Sequence, residues 1–279
     1  MSKVEKALQK ARAMDEATQP IPTVATRAAQ EQPLLVSHKD LATYTAQIPR
    51  MSQKFQLDRS DLGEAKIIYQ DMEDAKVVDA FRHMRTHILQ NAGSSNCVVL
   101  VTSVVPDGGA SFVALNLSAA FAFDESKTAL LVDCRLRDPK QDRFVGGEIH
   151  YGLTDYLEDE DVGVSQIIHE GGLPRFRLIP AGRKSDASTE HMDSRRMREL
   201  VSHLKERYPD RYIILDAASP AESADAAVLA ELADFVLLVV PYGKATESQI
   251  WSAAKAIDEQ KFLGVIFNDE PQPRRVIWN

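Results

Sequence analysis

A glycine turn joins an apolar segment to a helical pattern between residues 98 and 123. Residues 98–101 (VVLV) have the composition of a buried strand, and the turn PDGGAS follows at residues 106–111. Where a strand, a glycine turn and a helix N-terminus follow one another, backbone N–H groups and the helix dipole face an anion. Such turns are common in α/β domains, so the turn by itself only weakly predicts phosphate binding.

The turn departs from the phosphate-loop pattern GxxxxGK[ST] at two positions. When the pattern is aligned with residues 104–111, its second glycine is Gly109 and its hydroxyl residue is Ser111. The first glycine is replaced by Val104 and the lysine by Ala110. Because that lysine carries the charge that meets the β- and γ-phosphates, the sequence predicts a loop of the right shape with a weakened charge.

Two carboxylates follow other apolar segments. Asp133 comes directly after residues 129–132, and Asp216 comes directly after residues 212–215. Ligands of open parallel sheets bind at the carboxyl ends of strands, so we expect both acids to lie near the glycine turn. An aspartate at the position of Asp216 holds Mg²⁺ or its water shell in phosphate-loop proteins. A lone strand-end aspartate can also be a turn residue. The glycine turn and the two strand-end aspartates together predict a nucleotide site.

Apolar segments and helical patterns alternate from residue 97 onward. This alternation predicts an α/β fold, a three-layer P-loop domain in which helices cover both faces of a mostly parallel sheet of about seven strands. The predicted strands are 98–102, 129–132, 176–179, 212–215, 235–240 and 263–267. The predicted helices are 74–90, 112–123, 164–170, 194–207, 224–232 and 247–260.

The chain is predicted to have three parts. Residues 1–14 form a helical pattern that docks either on the body of the protein or on a partner, and residues 15–70 are a linker and irregular segment. Residues 71–279 form the P-loop domain.

Composition excludes several classes of function. A net charge of −8 argues against a nucleic-acid partner. Cys97 and Cys134 give neither a disulfide framework nor a metal pattern, which indicates a cytoplasmic location. No apolar run approaches the about 20 residues of a membrane-spanning helix, so no direct membrane span is expected.

The helical pattern over residues 74–90 carries an acid and two arginines. Asp79, Arg82 and Arg85 are spaced three residues apart, which places them near one another on a helix. They are either a solvated ion pair worth about 0.2–0.5 kcal/mol or a contact surface, because arginine is favoured in interface pairs.

Roughly from residue 73 to the C-terminus, the sequence resembles the cytoplasmic catalytic domain of the bacterial tyrosine autokinases of capsule and exopolysaccharide synthesis, relatives of the MinD/ParA ATPases. The stretches that carry the resemblance are VDAFRHMRTHI, TSVVPDGGAS, LLVDCRLRDP, GLTDYL, LIPAGR, YIILDAASP, DAAVLAELADFVLLVV and GVIFND. The N-terminal VEKALQKA resembles members that accompany exosortase-type loci, in which the kinase and the membrane polymerase regulator are separate chains.

The resemblance implies ATP or ADP with Mg²⁺ as ligands and a kinase-like domain over residues 71–279. It implies a partner, either a membrane chain-length-determinant (polysaccharide copolymerase) protein or a kinase paralogue, and association with further copies of the chain. Through such a partner a cytoplasmic chain would be associated with the membrane. The implied nucleotide contacts are Asp107, Gly108, Gly109, Ala110, Ser111, Phe112, Arg135 and Asn268. The implied metal contacts are Ser111, Asp133 and Asp216, and the two acids would be catalytic in an active enzyme. The implied ring-assembly contacts are Asp79, Arg82 and Arg85.

The departures from the family pattern concern catalysis. The lysine is Ala110, the loop glycine before the variable position is Asp107, and the second acid of the DxDxRxP motif is Arg135. No tyrosine follows Tyr242, although the family carries a tyrosine cluster in its tail. These losses predict a catalytically degenerate regulator or partner in exopolysaccharide biosynthesis and export, which binds nucleotide and Mg²⁺ weakly or not at all.

Alternatives remain open for Arg135 and for the function. Arg135 either supplies the missing cation or pairs with Asp107 or Asp216 and holds an empty site closed. The chain is alternatively an active but atypical ATPase or tyrosine kinase of the same pathway. A positioning protein of the MinD/ParA kind is disfavoured because residues 104–111 contain no lysine.

Overall fold

The computed structural model describes residues 55–72, 74–93 and 95–269, which fall in one compact unit. The predicted helix over residues 1–14, the linker up to residue 54 and the tail from residue 270 lie outside the described residues. No helix in the described ranges combines the length and the hydropathy needed to cross a membrane.

A sheet of seven strands forms the centre of the described part of the chain. Its strand order is β3-β4-β2-β5-β1-β6-β7, and all strands run parallel except β3, which pairs antiparallel with β4. The mostly parallel sheet that the alternating pattern predicts is confirmed. The strands are β1 Val98–Ser103, β2 Thr128–Asp133, β3 His169–Glu170, β4 Phe176–Ile179, β5 Arg211–Asp216, β6 Phe235–Pro241 and β7 Phe262–Asn268.

Helices cover both faces of this sheet. Within the described residues they are α1 Arg59–Glu64, α2 Ala75–Ala92, α3 Ala110–Ala122, α4 Leu153–Glu158, α5 Val164–Ile167, α6 Ser188–Met192, α7 Arg195–Arg207, α8 Asp225–Leu232 and α9 Glu247–Lys255, with a 3₁₀ turn at Asp142–Phe144.

Side chains of the central strands alternate between two helical layers. Val99 and Val101 of β1 lie in a core with α2 and α3, whereas Val98 and Leu100 lie in a core with α7 and α8. Because β1, β2 and β5 are buried on both faces, their sequences are almost continuously apolar. This burial confirms the predicted three-layer arrangement.

The end of the predicted linker belongs to the domain. Leu62, Ile67 and Ile68 are buried in the same core as α3, although the sequence predicts an irregular segment up to residue 70. The fully buried Asn116 of α3 fixes this segment: its Oδ1 accepts the Ile68 N–H at 2.8 Å and its Nδ2 donates to the Lys66 carbonyl at 3.2 Å. These core contacts come from residues without a repeating period, so the pattern gives no signal for them.

Several element boundaries differ from the predicted ones. The helix predicted over residues 164–170 ends at Ile167, because Ile168 takes an extended backbone that lets His169 and Glu170 pair with β4. Helix α3 begins two residues earlier than predicted, at Ala110, and α9 ends at Lys255 rather than at residue 260.

We expect Asn116→Ala to lower the free energy of unfolding by about 1–3 kcal/mol, because the buried Ile68 N–H and Lys66 carbonyl lose their partner. Urea unfolding followed by circular dichroism measures this change. Asn91→Ala is the matched control, because Asn91 is exposed and bonds the His87 carbonyl of its own helix. Equal losses from the two substitutions would contradict a tie between the segment and α3.

Candidate functional site

The loop after β1, residues 104–109, is called the cradle, and two of its positions require glycine. Gly109 has φ of 95° and is the N-cap of α3, and a Cβ on it would lie 2.1 Å from Asn268 Nδ2. A Cβ on Gly108 would lie 2.8 Å from Ser103 Cβ. Asn268, at the end of β7, donates from Nδ2 to the Gly108 carbonyl at 3.2 Å. The strand ends on both sides of the loop therefore hold it in the shape of a phosphate-binding loop.

Three loop residues differ in what they offer a ligand. Asp107 is exposed with φ of 51°, a left-handed conformation, and it brings a negative charge to the cradle. Ala110 opens α3 without a cationic side chain. Phe112 packs edge-on against Phe81 of α2, with ring centroids 6.1 Å apart, so its side chain belongs to the core.

Asp133 and Asp216 lie side by side beneath this loop. They end the neighbouring strands β2 and β5, pair in register, and are fully buried. Asp133 accepts the backbone N–H groups of Arg135 at 3.0 Å and of Lys140 and Gln141 at 2.9 Å each. The chain after β2 thus folds back to satisfy the carboxylate at the end of that strand.

Asp216 is bonded by side chains. Its Oδ1 accepts the Ser111 hydroxyl at 3.1 Å, and its Oδ2 accepts the Gln141 Nε2 at 2.7 Å. The same Nε2 donates to the Ser111 carbonyl at 3.2 Å. Gln141 is 1% exposed, and its Oε1 has no hydrogen-bond partner among the residues that the structure describes.

Burial raises the pKa of both carboxyl groups above their usual range. For Asp133, burial is reinforced by the nearby charge of Asp216 and opposed by the three backbone N–H bonds. For Asp216, burial is opposed by hydrogen bonds from Gln141 and Ser111 and by the charges of Arg135 and Lys140. Two carboxyl groups so close together form an electrostatically costly pair that needs donors or cations around it.

Arg135 is a buried side chain of the cavity that pairs with two more exposed carboxylates. Its Nη2 lies 3.5 Å from Glu222 Oε1 and 3.9 Å from Asp138 Oδ2, and its side chain is 7% exposed. Glu222 is itself fixed by the Ser219 N–H at 3.0 Å and the Ser219 hydroxyl at 2.8 Å. The expectation that Arg135 pairs with Asp107 or Asp216 is therefore corrected: its ion-pair partners are Glu222 and Asp138.

A cavity of about 260 Å³ lies between the cradle and two cations. Arg135 and Lys140 line it together with Ser103 and the loop residues 107–111. Lys140 is partly exposed, and its Nζ lies 2.5 Å from Asp138 Oδ2. The cavity thus has two cationic side chains in its lining although the loop has lost its lysine, and both are paired with carboxylates.

These residues fit a phosphate group better than they fit a divalent cation. The glycine cradle, the N-terminus of α3 and the two cations suit an anion. Ser111 and Asp216 are the residue types that hold Mg²⁺ in phosphate-loop proteins, but Asp216 Oδ2 is already bonded to the Gln141 amide.

The predicted ring-assembly residues do not form one surface. Asp79 and Arg82 are exposed and pair with each other at 3.2 Å. Arg85 instead donates from Nη1 to the Ala120 carbonyl at 2.8 Å, near the C-terminus of α3. A cation there is stabilised by the negative end of the helix dipole, so Arg85 has a structural role.

Three residues of the site, Lys140, Gln141 and Glu222, were not predicted from the sequence. Lys140 and Gln141 follow Asp133 by seven and eight residues, and Glu222 follows Asp216 by six. The signal that could have found them is their place in the loops that leave two adjacent strand ends, because such loops pass over the same edge of the sheet.

Known proteins give the context for this site. No protein-family model matches the chain. The tyrosine-protein kinase CpsD of Streptococcus agalactiae serotype III is 29% identical over 197 residues, which cover 69% of this chain and 82% of CpsD. ExoP of Rhizobium meliloti, a succinoglycan biosynthesis transport protein, is 27% identical over 256 residues, which cover 84% of this chain and 32% of ExoP. The chain thus spans about a third of the length of this longer relative.

Solved structures show the same fold. The kinase domain of the Escherichia coli tyrosine kinase ETK matches with a TM-score of 0.66 and 21% identity, over 80% of this chain and 91% of that domain. The predicted P-loop α/β fold is therefore confirmed. The relatives to which the chain is similar in sequence are bacterial tyrosine-protein kinases and an exopolysaccharide transport protein.

Proposed function

We propose that this chain is a catalytically degenerate member of the bacterial tyrosine-protein kinase family that acts as a regulator or partner in exopolysaccharide biosynthesis and export. The observation that carries the proposal is Ala110 at the head of α3, in a cradle that is otherwise formed. Without the lysine, the loop offers no ammonium group to stabilise phosphoryl transfer. The relative ExoP, a succinoglycan biosynthesis transport protein, supports the choice of pathway.

The loop after β2 supports the same conclusion. Arg135 stands where the resemblance places the second acid, and a guanidinium group can neither accept a proton nor bind a metal ion. Its ion pair with Glu222 holds it at the rim of the site. The site thus lacks the carboxylate that would activate an acceptor hydroxyl.

The residues that remain suit binding of ATP or ADP through the phosphates. The backbone N–H groups of the cradle and of the first turn of α3 would hold the anion, and Arg135 and Lys140 would balance its charge. Mg²⁺, where it is bound with nucleotide, neutralises phosphate charge. Asp133 and Asp216 would be its nearest acids in this chain.

The proposed contact with a partner is the exposed part of α2. Asp79 and Arg82 lie on its surface, and arginine suits paired contacts with carboxylates. The partner would be the cytoplasmic part of a membrane chain-length-determinant protein, a kinase paralogue or a second copy of the chain. Such a partner would hold a cytoplasmic protein at the membrane.

We expect Ala110→Lys to tighten ADP binding about 10- to 100-fold, because a charge-assisted contact is worth about 1.5–3 kcal/mol. Calorimetric titration with Mg²⁺ measures the affinity. Ala80→Lys adds the same charge on the exposed face of α2 and should leave the affinity unchanged.

Release of phosphate from ATP and autophosphorylation, assayed on the same samples, test the function directly. The natural protein should show neither. Mg²⁺-dependent turnover that is lost in Asp216→Ala would overturn the proposal and indicate an active, atypical enzyme.

We expect Arg135→Ala to weaken ADP binding about tenfold, since it removes a charged partner of the phosphates. Arg137→Ala is the matched control, because Arg137 is exposed and donates to the Asp186 carbonyl outside the cavity. Fluorescence anisotropy with a labelled ADP, in the natural and the Ala110→Lys backgrounds, compares the two. An unchanged affinity in Arg135→Ala would remove Arg135 from the binding site.

Substitutions on α2 should distinguish residues that contact a partner from residues that stabilise the fold. Arg82→Glu should leave the free energy of unfolding within about 0.5 kcal/mol of the natural value and abolish association, as measured by light scattering and by capture on the cytoplasmic segments of a chain-length-determinant protein. Arg85→Ala should destabilise the fold by about 0.5–1.5 kcal/mol, because the Ala120 carbonyl loses its donor. If the Arg82→Glu variant still associates, the exposed part of α2 is not the contact with the partner.

A further inference from the structure

One buried residue contacts Asp216, Asp133 and Ser111, the last through its backbone carbonyl rather than its hydroxyl. The Gln141 Nε2 donates to Asp216 Oδ2 at 2.7 Å and to the Ser111 carbonyl at 3.2 Å. The Gln141 backbone N–H donates to Asp133 Oδ2 at 2.9 Å. A single residue therefore binds both acids and the loop serine.

Two oxygen atoms of the site, Ser111 Oγ and Asp216 Oδ1, are spaced as neighbouring ligands of one cation would be. Phosphate-loop proteins hold Mg²⁺ with the loop hydroxyl and the strand-end aspartate. Neighbouring ligands of an octahedral Mg²⁺, each about 2.0–2.1 Å from the ion, lie about 3 Å apart. Ser111 Oγ and Asp216 Oδ1 are 3.1 Å apart. The spacing suits the ion, and the Ser111 hydroxyl keeps its lone pairs, but the Gln141 amide is already bonded to Asp216 Oδ2.

We propose that the Gln141 carboxamide takes the place of the divalent cation between Asp216 and Ser111, and that the cradle binds the phosphate groups of a nucleotide without Mg²⁺. The amide nitrogen donates one N–H to the Asp216 carboxylate, as a water molecule of a metal shell would, and the other to the Ser111 carbonyl. This inference rests on the proposed function in that it assumes a binding site that need not catalyse.

The charge distribution supports binding without metal. An amide brings no net charge, so the positive charge that phosphates need must come from elsewhere. Arg135 and Lys140 line the cavity and are its cations, although Glu222 pairs with Arg135 and Asp138 pairs with both. Asp133 is satisfied by three backbone N–H groups and so does not need a cation.

Removing the Gln141 side chain should make the site sensitive to metal. Gln141→Ala frees Asp216 Oδ2, and Gln141→Met fills nearly the same volume without a donor. ADP binding to the full chain is titrated in Mg²⁺ and in EDTA. Gln70→Ala is the control, because Gln70 is an exposed glutamine that donates to the Phe123 carbonyl. Each variant is also made in the Ala110→Lys background, so that a weak natural affinity can still be measured.

The natural protein and Gln70→Ala should bind ADP equally, within about twofold, in both buffers, whereas Gln141→Ala and Gln141→Met should bind about tenfold more tightly in Mg²⁺. The proposal would be overturned if the natural protein bound ADP ten times more tightly in Mg²⁺ than in EDTA. It would also be overturned if the Gln141 variants bound ADP equally in both buffers. Failure to bind ADP in both backgrounds would also overturn it. Phosphate release tests the proposed function separately, because it reports turnover rather than metal dependence.

Discussion

Two carboxyl groups buried side by side set the main constraint on this molecule. Asp133 and Asp216 end adjacent strands, and neither can stay in a dry interior without donors around it. The chain after β2 therefore returns across its own strand end and presents three N–H groups to Asp133. The same segment places Gln141 against Asp216. The arrangement of the site therefore follows from the hydrogen-bond donors that the two buried acids require.

The positive charge of the site comes from a different element than in a standard phosphate loop. The turn before α3 has no lysine, whereas Arg135 and Lys140 come from the loop that follows β2. Both are held by carboxylates, Arg135 by Glu222 and both by Asp138. Because both cations are already paired with carboxylates, part of their charge is balanced before an anion arrives.

Continuous apolar runs and the residues that end them predict most of the fold and part of the site. The sheet and the placement of Asp133 and Asp216 follow from β1, β2 and β5, because strands buried on both faces carry a simple pattern. Residues 55–70 and β3 are not predictable in this way, since their packing depends on single contacts such as that of Asn116 with Ile68. Gln141 is missed because an uncharged residue in a loop shows its importance only when its neighbours are known.

Helix α3 has a supporting contact near each of its ends and one at its middle. Asn268 holds the turn before it, Asn116 ties its centre to residues 66–68, and Arg85 holds a carbonyl of its last turn. A helix of 13 residues is about 20 Å long, so these contacts are distributed along its whole length. The cradle is thus preorganised, and an arriving anion meets N–H groups that lose little conformational entropy on binding.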